Sequence, residues 1–238
     1  MTPHLLDLGD TALTLEFGDR IDLALSMQVM AARDALPPLP GITDLVPSYR
    51  SLTVHFDPSL LPRDILAEHL LCAAKAAPQK SALATRWLIP ALFDAECGPD
   101  LSQVATATGR SQEAVIEALC NTELHVFLIG FLPGFPYLGE LPEWLRLPRL
   151  ATPRTQVPAN SVAIAGAQAA VYPWESPGGW HLLGRTPVRL FDLAEADQPA
   201  LFAPGDRVRF TSISATEFAR ISTAVNAGEL GRGAFRAP

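Results

Sequence analysis

Four polar side chains and a glycine pair in residues 130–187, with one carboxylate just ahead of them, are where this chain can do chemistry. His181 lies between Trp180 and Leu182 in GGWHLLG. An imidazole there can act as a general acid or base, or hold a carbonyl; it can equally be a satisfied group in a strand wall. Arg154 (in TPR) and Arg185 (in GRTP) are single cations in proline-flanked turns. Each offers a planar fork that suits a carboxylate or phosphate, or that clamps a loop through an ion pair or backbone carbonyl. Gln168, in AGAQ, presents an amide either to a substrate or to backbone groups. Gly178 and Gly179 permit close approach of a ligand or partner backbone, or make a tight turn. Glu123 precedes an apolar run. A carboxylate beside an apolar wall is raised in pKa and can serve as a base, whereas one at an exposed strand end does nothing of the kind.

Residues 130–187 hold nine prolines, seven glycines and three of the four tryptophans. No long helix crosses such a stretch, and its aromatic content is too high for a disordered linker. Short strands and packed, rigid loops are the expected result, a good way to fix polar groups in space.

The elements ahead of it read clearly. Leu13, Leu15 and Phe17 alternate in a strand over 11–17, and residues 19–36 form a helix with Asp19 or Asp22 near its N-cap. Strands follow at 42–49 and 52–56, then a helix over 62–77. The order β-α-β-β-α matches the early part of a ferredoxin-like unit. A strand at 85–92 either closes that sheet or opens the next domain. The small, polar run APQKSALA at 77–84 marks the boundary, giving domains 1–82 and 83–238. Beyond it come two short helices separated by Gly109, and strands at 124–131, 162–165, 170–172, 181–183, 188–191 and 208–211. A capping box from Ser214 to Glu217 opens a last helix, after which the chain frays. The fold class is α+β. The pattern after residue 84 fits a β-barrel or a sandwich.

A net charge of −7 argues against a nucleic-acid partner. The helical pair at 101–119 has only Arg110 to offer a phosphate backbone, so it reads as a plain hairpin, not a DNA reader. Cys72, Cys97 and Cys120 are odd in number and widely spaced, the usage of reduced cytosolic thiols, and the histidines lack metal-ligand spacing. There is no run of 18 apolar residues and no signal-peptide pattern, so a cytoplasmic protein without a membrane span is expected. GxxxxGK[ST] and GxSxG are both missing.

The blocks GFLPGFPYLG, ATPR, VPANSVAIAGAQ and YPWESPGGWHLLGRTP resemble the KipI-like family, also called allophanate hydrolase subunit 1 or the 5-oxoprolinase B subunit. GDTALTLEFGDRID, VPSYRSLTVHFDP, RWLIPALFDAECGPDL and PGDRVRF look like it too, so the resemblance covers most of the chain. It implies a cyclophilin-like barrel in the second domain. It also implies an ATP-dependent 5-oxoprolinase, opening 5-oxo-L-proline to L-glutamate, of which this chain is one component, inactive alone. ATP would be bound by, or shared with, a companion. The implied companions are an allophanate-hydrolase-subunit-2-like protein and a LamB/YcsF-like protein; self-association is left open. The same resemblance admits a KipI-like inhibitor that docks on a sensor histidine kinase, and the older family name an allophanate- or urea-related hydrolase subunit. Within this frame Glu123 and His181 are the catalytic candidates, and Arg154, Gln168, Gly178, Gly179 and Arg185 the substrate-binding ones. Phe131, Phe135, Tyr137, Trp144 and Trp174 are candidates for a partner face. The chain departs from the family pattern at Leu119, commonly His, at His181, commonly Gln, and at Ala167, Ala169 and Ala170, where Gly, Thr and Gly are common.

Overall fold

The computed structural model describes residues 2–76 and 84–237, and the chain divides into two compact units, Met1–Ala84 and Thr85–Pro238. The expected boundary run at 77–84 falls, except for its last residue, outside the described residues.

The first unit runs β1 (His4–Asp7), β2 (Ala12–Glu16), α1 (Leu23–Ala35), β3 (Ile42–Pro47), β4 (Ser51–Phe56) and α2 (Arg63–Ala73). Its sheet has the order β1-β2-β4-β3, antiparallel throughout. Alternation sends Leu13, Leu15, Leu52, Val54 and Phe56 to the face where Val29 and Met30 of α1 and Leu66 and Leu70 of α2 pack. Burying each such side chain contributes about 1.5–3 kcal/mol. Asp22 starts α1 by accepting from the amides of Ala24 and Leu25, at 2.8 and 3.2 Å. The strand that completes the sheet is β1, ahead of the first helix, and residues 86–91 belong elsewhere. The largely exposed β1 had given no hydrophobic alternation to read.

The second unit contains β5 (Arg86–Ala91), α3 (Leu101–Thr108), α4 (Gln112–Asn121), β6 (Leu124–Ile129), β7 (Pro136–Gly139), β8 (Arg154–Val157), β9 (Ser161–Ala165), β10 (Gln168–Val171), β11 (Ser176–Gly178), β12 (His181–Arg185), β13 (Arg207–Ser212) and α5 (Ala215–Asn226). Seven of its strands form a sheet ordered β12-β9-β10-β7-β6-β13-β5, with only the β13–β5 pair parallel. Its two edges nearly meet. Leu92, just past β5, and Arg185 of β12 exchange both backbone hydrogen bonds, at 2.8 and 2.9 Å. The result is a mixed α/β unit around a barrel-like sheet. Its main core joins Val126, Leu138, Ile164, Val171 and Phe210 to Val104 of α3 and to Val115 and Leu119 of α4. Gly109 ends α3 at φ 63°, the left-handed turn that lets the two helices pair.

Two expectations are corrected here. Residues 188–191 are not a strand: they pair with 199–201 by single hydrogen bonds, Leu201 N to Leu190 O and Asp192 N to Pro199 O, in a narrow loop. The C-terminal residues are not frayed, because Phe235 is buried in the core and Arg236 bridges to Trp87.

Candidate functional site

The antiparallel β8–β11 ribbon sets Gly178 opposite Arg154 and Ser176 opposite Val157. Gly178 has no room for a side chain, since a Cβ would collide with the Tyr172 hydroxyl. The ribbon stands beside a second, smaller apolar cluster. Phe135 meets Tyr172 and Tyr137 at ring distances of 5.0 Å each and Trp180 at 6.2 Å. Ala163, Ala165 and Ala170 are small enough to leave these rings space. Burial pushes both phenols up, partly offset by the charge of Arg149, so Tyr137 and Tyr172 are protonated donors at neutral pH.

Asp100 ties this region together. It is 5% exposed, yet its side chain does not cap α3 although it stands at the N-cap. Oδ1 accepts from Arg154 Nη2 at 2.6 Å, and Oδ2 accepts from the Leu182 amide at 2.7 Å. Arg154 is thus committed through Nη2, while its Nη1 is buried without a partner. Arg185 is committed as well, its Nε donating to the Ala159 carbonyl at 3.0 Å.

His181 is 7% exposed, and its Nε2 lies 2.9 Å from the Pro148 carbonyl. A carbonyl only accepts, so Nε2 carries the hydrogen and, in the neutral ring, Nδ1 is bare. That Nδ1 is buried and without a partner. Gly179 sits nearby: its carbonyl accepts from the Leu150 amide at 2.8 Å, and a Cβ on it would make only ordinary contact with Pro153, at 3.6 Å. Gln168 begins β10, opposite Gly139 and Ala165 and half-buried.

The structure therefore gathers Arg154, Gly178, Gly179 and His181 around one ribbon and turn, with Arg185 at the far end of β12. Glu123 stands apart, 41% exposed at its side chain and 3.8 Å from Arg86. Leu119 and Ala169 are core residues with no exposure, and Ala170 lies in the aromatic cluster. Among the aromatic candidates for a partner face, Phe135 is buried, whereas Phe131 and Trp174 are 63% and 47% exposed. Trp174 is pinned by Nε1 donating to the Pro133 carbonyl at 3.1 Å.

Sequence reading missed Asp100, Arg149 and Tyr172 as members of this candidate site, and took Tyr137 as a partner-face residue. Asp100 and Arg149 carry no local signal: each acquires its role through residues distant in the chain, Arg154 and Leu182 for Asp100 and Trp180 for Arg149. The Cys97 thiol, in the loop before α3, is pushed up to about 11 by burial and the nearby Asp94 charge; it is a protonated thiol, not a nucleophile.

A family model described as "Carboxyltransferase domain, subdomain C and D" matches residues 3–202. The chain is 39% identical over 206 residues to a protein of Escherichia coli O157:H7 named as the B subunit of 5-oxoprolinase, covering 85% of this chain and 93% of that one. It is 36% identical over 224 residues to the Bacillus subtilis (strain 168) protein of the same name, covering 89% and 93%. Among solved structures it is similar to TTHA0988, with a TM-score of 0.76 and 38% identity over 86% of this chain; it spans 40% of the length of that chain. On the extent of these matches, the chain belongs to the carboxyltransferase subdomain C and D family, and within it to the group of 5-oxoprolinase B subunits.

Proposed function

We propose that this chain is the B subunit of a composite, cytoplasmic 5-oxoprolinase that opens 5-oxo-L-proline to L-glutamate with ATP hydrolysis. The observation that carries the reading is the 39% and 36% identity, over 85% and 89% of this chain, with two proteins named as 5-oxoprolinase B subunits. The first unit is read as ferredoxin-like with its closing strand moved to the front, and the second as a cyclophilin-like barrel. No helix among the described residues is long and apolar enough to cross a membrane.

An unstrained lactam resists water, and ATP supplies the activation of its carbonyl. Two hollows of this chain are poorly suited to a triphosphate. One hollow of about 180 Å³ is lined by Asp192 and Glu195, and its arginines, Arg189 and Arg232, already pair with those carboxylates. The groove of about 310 Å³ beside α4 offers one cation, Arg209, against Glu117. The nucleotide is accordingly read as bound by, or shared with, a companion, either the allophanate-hydrolase-subunit-2-like protein or the LamB/YcsF-like protein. This chain contributes the rigid turn of Arg154, Gly178, Gly179 and His181, with Gln168 and Arg185 on flanking strands, as one wall of the lactam site. Phe131 and Trp174 form the companion-binding edge. Glu123, exposed and paired with Arg86, is left out of that wall.

The test is 5-oxoproline-dependent ATP hydrolysis by the chain alone and with both companions added. Glutamate formed only in the three-part mixture supports the reading. An assembled but silent mixture refutes it and leaves the docking role of a kinase inhibitor.

A further inference from the structure

Arg154 and Arg185 are each bound to the protein's own acceptors, which leaves open what meets an anionic ligand at this turn. Arg149 is exposed and, among the described residues, has no acidic partner. Its guanidinium lies 5.7 Å from the centre of the Trp180 ring, on which it can stack. Trp180 is itself 4% exposed and contacts Tyr137 at a ring distance of 6.0 Å.

The backbone on either side of Arg149 is clamped. Pro148 offers its carbonyl to His181 Nε2 at 2.9 Å, and Leu150 donates its amide to the Gly179 carbonyl at 2.8 Å. Both clamps come from the three residues Gly179, Trp180 and His181, whose middle member also supplies the ring under the guanidinium. Proline at 148 further restricts the backbone entering the clamp. An exposed arginine ordinarily loses much side-chain freedom when it binds; one held at its backbone and stacked on a ring loses less. The Arg149 charge reaches both Tyr137 and Tyr172, so cation and phenol donors share one neighbourhood.

We infer that Arg149 is the cation that receives an anionic ligand at this site, and that His181 is the positioning residue that holds it there through Pro148. The ligand class is a small carboxylic acid; its identity as a lactam acid rests on the 5-oxoprolinase reading. The carboxylate lies on the Arg149 fork, with Tyr137 beside it. His181 needs only a donor at the Nε2 position for this work, and moves no proton.

The full chain is titrated with 5-oxo-L-proline, acetate and inorganic phosphate, followed by heat and by tryptophan emission, in the wild type and in R149Q, R149K, H181Q and H181L. The wild type is expected to bind 5-oxo-L-proline. R149Q should weaken this about tenfold or more with an unchanged thermal midpoint, since the side chain is exposed, and R149K should lose less. H181Q keeps an amide donor for the Pro148 carbonyl and should stay within about threefold of the wild type, while H181L should fall with R149Q. R149Q binding as tightly as the wild type overturns the inference, as does a wild type that takes none of the three probes. H181Q falling as far as H181L overturns the positioning role. Acetate or phosphate bound through Arg149, with 5-oxo-L-proline no tighter, upholds the site and refutes the lactam reading alone.

Discussion

Asp100 and Arg154, 54 positions apart in the chain, meet at 2.6 Å, and the same carboxylate accepts the Leu182 amide. One buried side chain thus joins the start of α3, the ribbon strand β8 and the edge strand β12. Asp100→Asn keeps an oxygen for Leu182 but leaves Arg154 without a counter-charge. Arg154→Met leaves Asp100 charged and half-satisfied. Each is expected to cost about 2–4 kcal/mol, somewhat below a fully buried pair because Arg154 is partly exposed, and the double variant less than their sum. Urea denaturation of the four proteins measures this, and strict additivity would contradict a direct coupling.

The seam of the barrel-like sheet has no room for a methyl group. A Cβ on Gly184 would lie 2.6 Å from the Leu92 carbonyl oxygen, and one on Gly98 would run into the Leu183 carbonyl. Gly184→Ala should therefore destabilise the protein by about 2–4 kcal/mol and raise amide exchange at Leu92 and Arg185. Gly231→Ala, where nothing lies within 4 Å, should stay within about 0.5 kcal/mol of the wild type. Equal effects at the two positions would show that the seam is not tightly closed.

His125 makes the protein acid-sensitive. Burial first, and then the Arg207 charge, hold its pKa down to about 4 from 6.5. The unfolded state therefore takes up the proton first as pH falls. This stability contribution is full above about pH 6.5 and is lost progressively down to about 4, on the order of 3 kcal/mol in all. The lowered carboxylates Asp7, Asp22, Asp57, Glu113, Asp192 and Glu217 lose their contribution at lower pH, below their ordinary values. His125→Leu should flatten the urea midpoint between pH 6.5 and 4.5. An unchanged slope would place the acid sensitivity elsewhere.

Phe131 combines a φ of 70° with 63% exposure, and its ring lies 5.4 Å from that of Phe135. A bulky residue in the left-handed region costs about 1–2 kcal/mol, and a ring that stays mostly exposed recovers only part of it. Phe131→Gly is expected to raise stability by up to about 1 kcal/mol while weakening capture by the companion proteins about tenfold. Trp174→Ala should weaken capture similarly. Unchanged capture by both variants would remove this edge from the proposed interface.

Much of the architecture was legible because it is locally encoded. Leu13–Leu15–Phe17 and Leu52–Val54–Phe56 alternate with the period of a half-buried strand. Asp22, Ser111 and Ser214 cap their helices through their own side chains, as Ser and Asp before an apolar run should. The Gly- and Pro-dense stretch that carries the proposed site was visible from composition alone, as were the candidates His181, Arg154 and the glycine pair within it.

Long-range pairing decided the rest. β5 could have closed the first sheet on its pattern, but it runs parallel to β13, more than a hundred residues later, and β1 took the empty edge instead. β8 and β11 are too short and too proline-bound to show a period, and exist only because they pair with each other. Arg149 and Arg154 are the same residue type a few positions apart, so nothing local separates them. A distant carboxylate occupies one, while a distant histidine and glycine clamp the other open to solvent, and these are contacts that only the tertiary structure supplies.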